Sequence, residues 1–261
     1  MKNVFSAFLS IFRKILSVLL DIAIRKAILT EKEKTSSWNF SKEKDLLRIK
    51  TAVNQQLKKA NIQEEKRRLR EKIWKLMEEK RIAIFPLPPQ NRIPNFRGSE
   101  KAARLVTTLP EWKKARTVFV SPDSPQKKIR KLALKEGKIL IIATPKLKEG
   151  YLKIDPRDVK GKEKEASTIA GAFRFGKKLN ELPRPDLIII GCVAVDRNSF
   201  YRLGKGGGYG DREIRTFISR FGKIPVITTV HELQIVEGVP HDENDTLVDC
   251  IVTPDRIIRK N

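Results

Sequence analysis

The sequence predicts an α/β protein, a mainly parallel sheet with helices on both faces, preceded by an N-terminal helical extension. Three observations carry that expectation. Apolar runs of four to nine residues without polar alternation read as strands buried on both faces. Helix-like segments separate those runs, as crossovers between parallel strands require. A glycine-rich stretch lies where one apolar run gives way to a helix, and in such sheets ligands gather at the carboxyl ends of the strands.

The elements follow in chain order. Residues 1–38 form an amphipathic extension in which Val4, Phe5, Phe8, Leu9, Ile11, Phe12, Ile15 and Leu16 crowd together. Its longest charge-free run is the ten residues Asn3 to Phe12, too short to span a bilayer, and no uninterrupted signal-peptide centre is present. The apolar side is open to packing on the domain, lying on a membrane surface or contacting a partner, unless it reflects a misplaced start codon. Residues 39–60 read as a polar linker leading into a solvated helix, and residues 61–261 as the folded α/β domain. Lys66 to Glu79 is a helix, which Pro86-Leu87-Pro88-Pro89 is expected to stop. Thr117 to Val120 and Lys138 to Ala143 are strands flanking a helix over Lys127 to Lys135. Leu187 to Val195 is a long buried strand, Glu213 to Phe221 a helix, Pro225 to Val230 a strand and Cys250 to Val252 a last one.

Composition sets bounds on function. With 55 Lys+Arg against 31 Asp+Glu the formal charge is +24, which favours polyanionic partners: nucleotides, nucleic acid or anionic lipid. The excess is diffuse, however, and reads first as a solvated basic surface. No aromatic-bearing RNA-recognition pattern, zinc-finger spacing or helix-turn-helix signature accompanies it, and aromatic residues make up only 7%. Cys192 and Cys250 are the only cysteines; both fall in apolar runs, where packing is the ordinary role, and two thiols do not make a zinc site. A reducing, cytoplasmic compartment fits them.

The segment Arg202-Leu203-Gly204-Lys205-Gly206-Gly207-Gly208-Tyr209-Gly210-Asp211-Arg212 carries the chemistry. Glycine takes positive φ at little cost and lets amides approach a ligand closely, so a glycine loop ahead of a helix suits oxyanions. Its flanking arginines and lysine offer cations for phosphates, and Asp211 offers a hard oxygen for Mg²⁺, although the same aspartate suits a helix N-cap. Neither Walker A nor the dinucleotide fingerprint is present. His231, after a strand, is open to a base role but reads as a hydrogen-bonded structural residue, and no Ser/His/Asp or Cys/His arrangement is legible. Glycines, cations and one or two carboxylates suit phosphoryl transfer, where positioning and charge neutralisation dominate.

The ordered combination of Arg202-Leu203-Gly204, Gly206-Gly207-Gly208-Tyr209 and Asp211-Arg212, after Gly191 to Asp196, resembles the signature of the 5-formyltetrahydrofolate cyclo-ligase family. Lys66 and Arg70, four apart on a helix, resemble the opening Lys-x-x-x-Arg; Gln234, Asp245 and Asp249 before Cys250 to Pro254 resemble the closing elements. Trp74, Arg92 to Gly98 and Lys205 are similar to a divergent branch, the methenyltetrahydrofolate synthetase domain-containing proteins. The likeness spans roughly residues 62 to 258.

It implies a fold similar to the sugar-isomerase and CoA-transferase-like group, with ATP and Mg²⁺ as cofactors and a folate-like acceptor. In the implied reaction the formyl oxygen of 5-formyltetrahydrofolate takes the γ-phosphoryl group, N10 attacks the activated carbon, and phosphate leaves to give 5,10-methenyltetrahydrofolate. Lys66, Arg70, Arg202, Gly204, Gly206, Gly207 and Gly208 would hold phosphates. Lys205 and Arg212 would offset developing charge, Tyr209 would contact the acceptor, and Asp211 with Asp245 would place the metal. Three departures fall mainly on the folate side: Gly210 replaces a second tyrosine, Asn244 a histidine, and Glu-x-x-Thr is missing around Ser121 to Lys128. They leave a second reading, a non-catalytic nucleotide-binding protein using its basic surface to bind RNA.

Overall fold

The computed structural model describes residues 22–23 and 40–260, so the expected amphipathic extension lies almost entirely outside the described residues. The chain divides into two units, residues 1–65 and 66–261. Helix α1 runs over Phe40–Glu79, including most of the stretch read as a linker, because no glycine or proline interrupts it and Lys, Glu, Gln, Arg and Leu dominate it. It ends before the prolines rather than at them. Arg81 takes a left-handed φ of 54°, and the Ile82 amide donates back to the Met77 carbonyl at 2.9 Å, a Schellman-type closure. The prolines instead fill the connection between β1 (Ala83–Ile84) and β2 (Asn95–Phe96), an antiparallel pair.

The main sheet has eight strands: β3 (Thr117–Val120), β4 (Ile139–Ala143), β5 (Tyr151–Ile154), β6 (Lys177–Lys178), β7 (Leu187–Ile190), β10 (Val226–Thr229), β12 (Cys250–Val252) and β13 (Ile257–Arg259). Their order is β13-β12-β10-β7-β3-β4-β5-β6. The central run from β12 to β4 is parallel, and the antiparallel pairings sit at the edges, β12 with β13, β4 with β5 and β5 with β6.

Alternate residues of the central strands enter different cores, the two-residue period of a pleated strand. Val118, Val120, Leu140, Ile142, Leu187 and Ile189 pack with Ile73, Trp74 and Met77 of α1, with Ala102, Ala103 and Val106 of α2 (Ser99–Thr108), and with Ile129 of α4 (Lys127–Lys135). A short helix, α3 (Pro110–Lys114), adds Trp112 to this layer. Phe119, Ile141, Ile188 and Ile190 turn the other way, onto Ile214 and Phe217 of the helix Tyr209–Phe221. That two-sided burial explains why the strand runs carry no polar alternation. Two short helices, α5 (Glu163–Ala166) and α6 (Ile169–Phe175), lie between β5 and β6, so the helix beginning at Tyr209 is α7.

One expected strand is two. The run Leu187 to Val195 breaks after Ile190, and β8 (Ala194–Asp196) joins a separate three-stranded sheet with β9 (Arg202–Leu203) and β11 (Ile235–Val236). The break has a tertiary cause. A Cβ on Gly191 would stand 2.7 Å from Ile93 Cγ2 and 2.8 Å from Gln126 Oε1, and the Gln234 amide donates to the Cys192 and Val193 carbonyls at 2.9 and 3.2 Å. Those carbonyls are therefore lost to a continuing ladder.

Candidate functional site

A cavity of about 390 Å³ opens beyond the carboxyl ends of β3, β4 and β7. Pro122 and Asp123 follow β3, Thr144 and Pro145 follow β4, and Ile190 and Gly191 close β7; the loop from Arg202 and the first turn of α7 complete the wall. This is the end of a parallel sheet where the sequence placed its ligand site.

The glycine loop owes its path to two left-handed positions, Gly206 at φ 111° and Gly208 at φ 66°, which side chains rarely adopt. Gly208 is the N-cap of α7, and no side chain caps that helix. Asp211 is therefore not the N-cap the sequence allowed. It lies within the first turn, where its Oδ1 stands 2.9 Å from Arg202 Nη2 and accepts from the Thr246 amide and hydroxyl at 3.1 and 2.9 Å.

Arg202 is nearly fully buried, at 2% exposure, in the cavity wall. Its Nε and Nη2 find no aligned acceptor: Asp211 Oδ1 is close enough to pair in charge but lies off the N–H direction. A buried guanidinium with idle donors is short of acceptors, which an anion would supply. Gly210 is tied to the same group, since a Cβ there would stand 2.7 Å from Arg202 Nη2. The space that a larger residue would take at this position is held by the guanidinium.

The remaining expected residues divide by location. Gly204, Lys205, Gly207, Gly208, Tyr209 and Asp211 line the cavity with Arg202. Lys205 Nζ reaches Asp123 Oδ1 at 3.4 Å, linking the loop to the end of β3. Arg70 supports the loop from behind. Its Nε donates to the Gly204 carbonyl at 2.7 Å, and its guanidinium lies 3.7 Å from where a Gly206 Cβ would be. Burial lowers the Arg70 pKa, and Asp245 and Asp211 oppose that shift.

Lys66 does not face the cavity. Its buried ammonium sits between Asp242 Oδ2 at 3.0 Å and Asp245 Oδ2 at 2.5 Å, and the latter oxygen also accepts from the Asp242 amide. Arg212 is exposed, stacked over the Tyr209 ring at 4.6 Å with Nη2 donating to the Gly207 carbonyl. Among the described residues no group of three or more His, Cys, Asp or Glu side chains is arranged to hold a metal. Asp211 nevertheless offers a single ligand: only its Oδ1 is engaged, and it lines the cavity.

His231 is structural, as the sequence reads it, and Asp249 is structural too. His231 caps the 3₁₀ turn Glu232–Gln234, Nδ1 accepting from the Leu233 amide while Gln234 Oε1 accepts from the His231 amide. Asp249 Oδ2 accepts from the Val226 amide and fastens β10 beside β12.

Sequence reading passed over Asp123 and Glu213, both in the cavity wall. Glu213 is 4% exposed, and burial, reinforced by the neighbouring Asp123, pushes its carboxyl up to about 8. Helical spacing carried the signal, because Glu213 lies four residues beyond Tyr209 and must share its face of α7. Asp123 gave no such signal, since only the fold brings the end of β3 beside Lys205.

Residues 62–254 match the 5-formyltetrahydrofolate cyclo-ligase family. A methenyltetrahydrofolate synthase domain-containing protein from Bos taurus is 38% identical over 205 residues, covering 74% of this chain and 53% of the relative. The chain thus spans about half the length of such relatives. A probable 5-formyltetrahydrofolate cyclo-ligase from Schizosaccharomyces pombe is 30% identical over 173 residues, covering 59% of this chain and 82% of the relative. The NMR structure of the Aquifex aeolicus 5,10-methenyltetrahydrofolate synthetase is similar at 28% identity with a TM-score of 0.48, over 74% of this chain and 92% of that one. With the family match running through the α1 cations, the glycine loop and the last parallel strand, the chain belongs to the 5-formyltetrahydrofolate cyclo-ligase family.

Proposed function

We propose that the protein is an ATP- and Mg²⁺-dependent cyclo-ligase that converts 5-formyltetrahydrofolate to 5,10-methenyltetrahydrofolate in the cytoplasm. The observation that carries this reading is the buried Arg202 guanidinium, short of acceptors, in the same cavity wall as Gly207 and Gly208 of the exposed glycine loop. Phosphate oxygens would satisfy both, and the N-terminus of α7 adds its dipole in the same direction.

Arg202 and the loop amides hold the phosphates in this scheme, while Lys205 stands where charge develops on the transferred group. Arg70 keeps the loop in its binding shape through the Gly204 carbonyl. Lys66 and Asp245 act one layer back, holding the loop Asp242 to Asp245 against α1. Tyr209, pressed from outside by Arg212, offers its ring to the ligand. Asp211 Oδ2 is the oxygen open to Mg²⁺, which takes one or two carboxylates and completes its shell with water and phosphate oxygens. Bound there, the ion would neutralise charge on the phosphates.

The test is ADP release by the purified full chain with Mg²⁺-ATP, with and without 5-formyltetrahydrofolate. ADP should appear only with the folate, in step with the methenyl product. Release that ignores the folate, or no release at all, would overturn the assignment.

A further inference from the structure

We propose that Glu213 is the acceptor-recognising residue of this cavity, its carboxyl receiving a hydrogen bond from an N–H on the polar edge of a flat heterocyclic substrate. The inference rests on the cyclo-ligase reading for the identity of the acceptor, and on geometry for the residue.

Three carboxyl groups line the cavity, and two are engaged. Asp123 faces Lys205, and Asp211 is held by Arg202 and Thr246. Glu213 has neither a hydrogen bond nor an ion pair among the described residues, although it is buried to 4% exposure. A buried carboxyl facing an open cavity without a partner is satisfied only by what enters that cavity. Phosphate is the wrong occupant, because its charge is matched by Arg202 and Lys205 and not by a carboxyl. An N–H donor is the right one.

The surrounding wall narrows the class. Ile93, Pro122, Pro145, Ile169 and Ile190 share the cavity, so Glu213 stands in a largely apolar slot that suits a flat ring. The segment Ser121 to Lys128 contributes only Asp123, which faces Lys205, and the unpaired carboxyl of the cavity comes from α7. Cations gather on the loop side, at Arg202 and Lys205, and the free carboxyl follows on the next turn of the helix. One cavity therefore offers both cations for an anion and a carboxyl to accept an N–H.

The experiment compares the full-length parent chain with Glu213→Leu and Glu213→Gln, measuring KM for 5-formyltetrahydrofolate and for ATP, kcat and melting temperature. Glu213→Leu removes the acceptor at similar volume, so KM for the folate should rise at least about tenfold while KM for ATP stays within about twofold. Glu213→Gln keeps a carbonyl acceptor and should bring the folate KM back to within about threefold of the parent. An infrared difference spectrum on adding the folate should show a carboxyl band that shifts in the parent and is missing from Glu213→Gln, which decides the matter even if Glu213→Leu does not fold. Turnover with an unchanged folate KM and no such band would overturn the role of Glu213 and leave the cyclo-ligase reading standing. Folate binding with the band but no ADP release would uphold Glu213 and overturn that reading. A parent that binds no folate would overturn both.

Discussion

Arg202 Nη2 and Asp211 Oδ1 lie 2.9 Å apart beneath Gly210, with the Arg202 side chain only 1% exposed. The pair joins the short strand β9 to the first turn of α7, and both residues line the cavity. A lysine at 202 keeps the charge but loses the planar fork that phosphate oxygens match. Arg202→Lys should weaken ATP binding about tenfold or more, from the loss of charge-assisted hydrogen bonds. Titration calorimetry with a non-hydrolysable ATP analogue checks this, and unchanged affinity would remove Arg202 from the nucleotide site.

Asp211→Asn tests the metal. The amide oxygen still accepts from Thr246, but it is a poor Mg²⁺ ligand and leaves the buried Arg202 without its countercharge, so the melting temperature should fall as well. Folate-dependent ADP release should fall by about 100-fold or more, given the several kcal/mol that metal charge stabilisation supplies. Turnover at the parental rate would end the metal role of Asp211.

Lys66 and Arg70 sit one helical turn apart, yet their substitutions should differ. Lys66→Met leaves Asp242 and Asp245 without their shared cation, and breaking a buried pair costs about 3–5 kcal/mol. For a unit of this size that lowers the melting temperature by roughly 6–20 °C. Arg70→Ala releases the Gly204 carbonyl and should act on nucleotide affinity, roughly tenfold, with a smaller thermal effect. Differential scanning calorimetry and nucleotide titration of both variants separate the two roles, and identical profiles would contradict the assignment.

Gly207 lies outside the left-handed region, so a side chain there meets a neighbour rather than backbone strain. A Cβ would stand 2.7 Å from Tyr209 Cδ2 and Cε2, displacing the ring that lines the cavity. Gly207→Val should therefore abolish measurable ATP binding while the melting temperature changes little, because the loop is exposed. Normal ATP binding by this variant would refute the loop's role.

Cys192 and Cys250 are buried in the two cores, and burial pushes each thiol up to about 11. Neither should be alkylated by iodoacetamide at pH 8 in the native protein, and both should react after urea unfolding, as read by intact mass. Rapid native labelling at either position would show that the backbone around it opens.

The strand and helix pattern was legible in the sequence because burial on both faces leaves a simple mark, an apolar run without alternation. Lys127 to Lys135 and Cys250 to Val252 form as periodicity and composition predict. The loop from Gly204 to Gly208 was legible too, since only glycine takes positive φ cheaply, and Gly206 and Gly208 do so. Tertiary structure decided what local pattern does not encode. The run after Leu187 breaks because Gln126, Ile93 and Gln234, distant in sequence, close on Gly191 to Val193. Lys66 resembles a phosphate ligand on its helix, but Asp242 and Asp245 arrive from 176 and 179 residues away and take its charge. Glu213 shares a helix face with Tyr209, but only the packing of α7 against the sheet buries it at the cavity. Sequence fixes the type of each group, whereas partners and solvent exposure are set by contacts between segments far apart in the chain.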